Sequence, residues 1–135
     1  MKRTGHCACG AVRFETTAEP MAVGACHCTD CQKASGGGPN YVALIPRDAF
    51  RVTRGAAKAY VAKGGSGKDV RRWFCPDCGT PLWSEPADQP FYTVKLGAFD
   101  GQDLVPAMHV FTASAPEWHP IDRSKPCFER GPDAM

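Results

Sequence analysis

The sequence predicts one mostly-β domain of short antiparallel strands, and three observations predict it. Short segments that alternate apolar and polar side chains recur along the 135 residues, the signature of half-buried strands. Fourteen glycines and twelve prolines punctuate those segments, and no stretch supports a long helix. Eight cysteines, seven of them clustered, supply the means of tying such strands together through metal.

Composition bounds what the domain can be. Hydrophobic residues at 43% and charged residues at 22% are ordinary for a globular protein, and no apolar run approaches the ~20 residues of a membrane span. The amino terminus, Met1-Lys2-Arg3-Thr4-Gly5-His6, reaches Cys7 without an apolar signal-peptide core. A cytoplasmic protein with reduced thiols is therefore expected, and clustered thiols there read as metal ligands before disulfides. A redox role would call for one Cys-x-x-Cys in a βαβ setting, and none is present. The formal net charge of +2 and the lack of a basic stripe count against a nucleic-acid binder. Two zinc ions on seven thiolates would bring that charge to about −1.

The elements follow in order. Ala11 to Glu15 alternates as a strand, and Cys7 and Cys9 before it share a face, with Gly10 able to turn their sulfurs together. After Pro20 comes Cys26-His27-Cys28-Thr29-Asp30-Cys31, then one helical turn over Gln32 to Ser35, which Gly36-Gly37-Gly38-Pro39 ends as a loop. Asn40 to Ile45 reads as a largely buried strand ending at Pro46. Phe50 to Thr53 and Lys58 to Ala62 are short strands, and Lys63 to Lys68 is a flexible hairpin connection. Asp69 to Phe74 leads a strand into Cys75-Pro76-Asp77-Cys78-Gly79, which has the form of a zinc knuckle. Strands follow at Pro81 to Ser84, Phe91 to Leu96 and Val105 to Thr112. The single domain spans 1–135, with 115–135 an irregular tail holding Pro116, Pro120, Pro126 and Pro132.

Two partitions of the cysteines are chemically sensible. In one, Cys7, Cys9, Cys75 and Cys78 form a closed four-thiolate site, and Cys26, Cys28 and Cys31 form an open three-thiolate site. In the other, Cys28, Cys31, Cys75 and Cys78 make an ordinary zinc ribbon and leave Cys7, Cys9 and Cys26 spare. Spacing alone does not choose between them. Cys127 stands apart, as a free thiol or as a fourth ligand to the triplet.

Three stretches together resemble one family. They are Gly5-His6-Cys7-Ala8-Cys9-Gly10-Ala11-Val12-Arg13-Phe14-Glu15, then Cys26-His27-Cys28-Thr29-Asp30-Cys31-Gln32-Lys33, then Arg72-Trp73-Phe74-Cys75-Pro76-Asp77-Cys78-Gly79-Thr80. With Gly97-Ala98-Phe99-Asp100, His109-Val110-Phe111 and the segment from Trp118 through Phe128-Glu129, the chain is similar to the glutathione-dependent formaldehyde-activating enzymes over nearly its whole length. The resemblance implies the β-tent fold, two antiparallel sheets gathered around zinc. It also implies structural zinc on Cys7, Cys9, Cys75 and Cys78 and catalytic zinc on Cys26, Cys28 and Cys31, two ions per chain. The family's reaction joins formaldehyde to glutathione as S-hydroxymethylglutathione, a carbon–sulfur lyase reaction in reverse.

Zinc on three thiolates carries one net negative charge, which suits holding a thiolate more than polarising a carbonyl. The expected function is therefore zinc-dependent making or breaking of a carbon–sulfur bond in a thiol–aldehyde adduct, with a small thiol such as glutathione as partner. The alternative is a non-catalytic zinc scaffold that binds a protein or a small thiol. His27 and Asp30 are candidate proton relays, weighed against simply facing solvent or a ligand sulfur. Lys33, Arg71 and Arg72 are candidates to attract a carboxylated thiol, weighed against a solvated face. Gly36 to Gly38 could bring backbone amides to a ligand or merely turn. His109 is expected to be a packed core histidine, and Trp73, Trp83 and Trp118 are expected to be core.

Overall fold

Ten strands and one α-helix follow one another in the computed structural model, which describes residues 2–65 and 67–131. In chain order they are β1 (Arg3–His6), β2 (Arg13–Thr16), β3 (Ala22–Cys26), α1 (Thr29–Ser35), β4 (Asn40–Pro46), β5 (Phe50–Arg54), β6 (Lys58–Lys63), β7 (Asp69–Phe74), β8 (Pro81–Pro86), β9 (Phe91–Lys95) and β10 (Met108–Val110). A small sheet has the order β1-β2-β5, and a seven-stranded sheet runs β10-β3-β4-β9-β8-β7-β6. The fold is mostly β, as the alternation predicts. Every pairing is antiparallel except β10 with β3, which is parallel.

The core lies between the sheets. Phe14 of β2 stacks on Phe50 at 5.2 Å and meets Phe99 edge-on at 5.5 Å, while Ile45, Leu82 and Val94 close it from the large sheet. A Cβ at Gly5 would stand 2.3 Å from the Phe14 ring and 2.4 Å from the Ala98 carbonyl, so only glycine lets β1 approach this closely.

Several boundaries differ from expectation. β1 and β3 are strands that local pattern did not pick out. β3 carries the small residues Ala22, Gly24 and Ala25, and its strand state comes from pairing with β4. The helix begins at Thr29 inside the cysteine triplet, because Cys28 caps it. The strand expected over Val105 to Thr112 shrinks to Met108–Val110, since Pro106 has no N–H to give and ladder bonding starts with the Ala107 N–H on Val23. Trp118 is not core: it is 69% exposed. Ser66 in the Lys63 to Lys68 connection, and Pro132 in the tail, lie outside the described residues. Among the described residues no helix is long and apolar enough to cross a membrane.

Candidate metal centres

Two turns bring the first cluster together. Gly10, at φ 78°, closes a turn whose N–H reaches the Cys7 carbonyl, and Gly79, at φ 77°, closes the matching turn on Cys75. The ligand sulfurs of Cys7, Cys9, Cys75 and Cys78 then all lie within 4.8 Å of one another. The Cys7–Cys9 and Cys9–Cys75 separations of 3.6 and 3.8 Å match the ~3.8 Å edge of a tetrahedron with Zn–S near 2.3 Å. Cys7 and Cys75 are fully buried. The Val12 N–H donates to Cys7 at 3.3 Å, and Thr80 sits 3.1 Å from Cys78, with its hydroxyl foremost in holding that thiol down at about 5. Four thiols with such donors fit zinc and need no further ligand.

The second cluster is built on one strand end and one helix start. Cys26 ends β3, Cys28 caps α1 with its sulfur accepting the Cys31 N–H at 3.3 Å, and Cys31 is buried in the helix's first turn. Their sulfurs lie within 4.8 Å of one another. Cys28 and Cys31 thus join Cys26 and not Cys75 and Cys78, which is the grouping of the first partition. Cys31 is held down at about 2, by hydrogen bonds from Cys26 and Cys28 first and then by Asn40 and the Lys95 charge, while the same sulfur–sulfur bonds push Cys26 up. Such proton sharing is what a divalent cation displaces when it binds thiolates. The donor set fits zinc with one position left over. Cys127 does not fill it: its sulfur rests 3.3 Å from the Lys125 carbonyl.

The surroundings of the triplet hold residues that spacing did not reveal. The buried Asn40 side chain lies between Cys31 and Lys95, with Lys95 Nζ 2.6 Å from Oδ1 and Nδ2 3.5 Å from the Cys31 sulfur. An ammonium can only donate, so the amide oxygen must face Lys95 and the NH2 must face sulfur. Burial lowers Lys95 to about 8, against the pull of Cys31 in the other direction.

His27 does not point to solvent. It is fully buried and centres a row of three histidines, with Nε2 2.9 Å from His109 Nδ1 and Nδ1 2.9 Å from His119 Nδ1. The Asp122 N–H donates to His109 Nε2 at 3.1 Å, so the His109 proton sits on Nδ1, from which it donates a hydrogen bond to His27 Nε2. The His27 proton then sits on Nδ1, and His119 carries its own on Nε2, facing the Gly37 carbonyl at 2.7 Å. All three rings are thereby satisfied while neutral. Burial first, and the neighbouring rings next, hold the His27 imidazolium down at about 4. The row ties the tail and β10 to the ligand loop.

His109→Leu is expected to destabilise the fold by about 1–3 kcal/mol by orphaning His27 Nε2 and the Asp122 N–H. His109→Asn, whose amide N–H can replace Nδ1–H, should recover part of that loss. Urea unfolding reads the difference, and equal midpoints for the two variants would remove the hydrogen-bond account.

The remaining candidates divide simply. Asp30, Lys33 and Arg71 are exposed, and Arg72 is half-buried on β7. Gly36, at φ 84°, caps α1, and Trp118 lies edge-on against His119 with ring centroids 4.7 Å apart. His119, Asn40 and Lys95 carry no local signal: His119 lies in the irregular tail, and Lys95 reads as one polar position of an alternating strand.

The family described as glutathione-dependent formaldehyde-activating enzyme matches this sequence over residues 2–114. A protein of Halomonas elongata whose name carries that description is 28% identical over 138 residues, spanning 96% of this chain and 88% of its own. A similarly named protein of Penicillium rubens is 34% identical over 87 residues, which are 64% of this chain and 44% of that protein. The crystal structure of a Rhodobacter sphaeroides protein superposes with a TM-score of 0.58 at 26% identity, covering 76% of this chain and 97% of its own.

Proposed function

This chain belongs to the glutathione-dependent formaldehyde-activating enzyme family, and from that membership we propose that it is a zinc-dependent carbon–sulfur lyase acting on a small thiol–aldehyde adduct. Formation or cleavage of S-hydroxymethylglutathione is the family reaction. The observation that carries the reading is the triplet: three sulfurs within ligand reach, one short of four, beside a separate cluster that is complete.

Cys26, Cys28 and Cys31 would hold zinc, which would supply a position that keeps a substrate sulfur ionised near neutral pH. In the bond-forming direction the thiol proton leaves, the sulfur lone pair attacks the aldehyde carbon, and the carbonyl pair moves to oxygen, which takes up a proton. In reverse, the hydroxyl loses its proton and the C–S pair returns to sulfur. The protein's own contributions surround this step. The Asn40 NH2 bonds the Cys31 sulfur, and the Lys95 charge favours the Cys31 thiolate. His27 has both ring nitrogens engaged within the histidine row, so it orients the loop.

Cobalt replacing zinc tests this reading. Adding glutathione is expected to change the absorption of one of two bound ions, and glutathione with formaldehyde should yield the hydroxymethyl adduct. A second reading, a non-catalytic scaffold, draws on the cavities of about 350 and 440 Å³, whose linings include Tyr41 and Pro106 but none of the triplet cysteines. Two ions equally inert to thiol would favour the scaffold.

A further inference from the structure

Lys95 is a cation without a carboxylate. Among the described residues its ammonium bonds only Asn40, and the groups that favour its charge are the sulfurs of Cys31, Cys26 and Cys28. The other charge that bears on it is Arg72 of β7, whose guanidinium has no hydrogen-bond or ion-pair partner among the described residues. A partly buried ammonium is costly unless something compensates it, and here the compensation is the thiol cluster, reached through one amide.

We propose that Lys95 is a positioning residue that sets the triplet's affinity for an anionic fourth ligand, acting by charge and through Asn40. This rests on the reading of the triplet as an open, thiol-accepting metal centre. The direction of the relay is fixed chemically. Lys95 donates to Asn40 Oδ1, which turns the amide hydrogens onto Cys31 and orders one ligand sulfur. The charge count points the same way. A divalent ion on three thiolates would bear one negative charge and a fourth thiolate would make two, and Lys95 is a cation whose charge bears on these sulfurs. Among the described residues Lys95 makes no hydrogen bond to a triplet sulfur, so it acts on the site without occupying it.

The cobalt-loaded protein and the uncharged probe 2-mercaptoethanol separate the possibilities, because this thiol brings no carboxylate for Arg72 to attract. Lys95→Met is expected to raise the half-saturating thiol concentration about tenfold or more, with both metal ions retained. It should also shift the resting spectrum, since Asn40 is released. Lys95→Gln keeps a donor to Asn40 without the charge, so it should preserve the resting spectrum yet still bind thiol several-fold more weakly. Lys95→Arg should stay near wild type. A thiol response in the wild type with an unchanged midpoint in Lys95→Met and Lys95→Gln would overturn the role of Lys95 and leave the open centre standing. No thiol response in the wild type would overturn the open centre, and this inference with it.

Discussion

Serine at Cys26, Cys28 or Cys31 is expected to lower the zinc content from about two ions per chain to about one and to reduce carbon–sulfur bond formation by more than about a hundredfold. The magnitude follows from a comparison. Altering a group that merely orients a ligand commonly costs 10–100-fold, and removing a ligand from a three-sulfur site leaves two, too few to hold the ion. The fold should survive. The triplet sits at the end of β3 and the start of α1, whereas the aromatic core of Phe14, Phe50, Trp83 and Phe99 lies between the sheets. Near-ultraviolet circular dichroism from the stacked Trp73 and Trp83 rings, 5.6 Å apart, should therefore stay native-like in all three variants. Native-like dichroism with full activity in any of them would end the assignment of the triplet to catalysis.

Serine at Cys7 or Cys75 should have the opposite signature. Both sulfurs are fully buried, and their cluster joins the turn between β1 and β2 of the small sheet to the turn between β7 and β8 of the large one. Structural zinc contributes roughly 10–16 kcal/mol in small metal-bound folds, comparable with or above the ~5–15 kcal/mol of a whole domain. Losing it should remove the cooperative unfolding transition and release both ions, because β3 and α1 no longer have a fixed sheet to stand on. A zinc count and thermal melt on the same sample check this. A folded Cys7→Ser protein that keeps the triplet's ion would show that the sheets hold together by packing alone.

Much of this was legible in one dimension. Cys7-Ala8-Cys9-Gly10 and Cys75-Pro76-Asp77-Cys78-Gly79 announce their turns, since a glycine follows each pair where the backbone takes positive φ. The crowding of Cys26, Cys28 and Cys31 points to a candidate metal site because three thiols within six residues can share one ion. β9 alternates clearly enough to be named as a strand, and β4 reads as a largely buried one from its apolar run ending at Pro46. β3 does not, because small residues buried on both faces leave no alternation to read.

Local spacing thus determined the cysteine clusters, the turns and the mostly-β class, since each depends on residues a few positions apart. Which pairs meet, and what surrounds the open site, came only with the tertiary structure. Cys7 reaches Cys75, and His27 reaches His109 and His119, across distances in sequence that no periodicity spans. Asn40 and Lys95 share the triplet because β3 pairs with β4 and β4 pairs with β9. The physical reason is that strand pairing carries no signature in either strand alone. A buried cation or a neutral histidine row becomes recognisable only when its partners are in place.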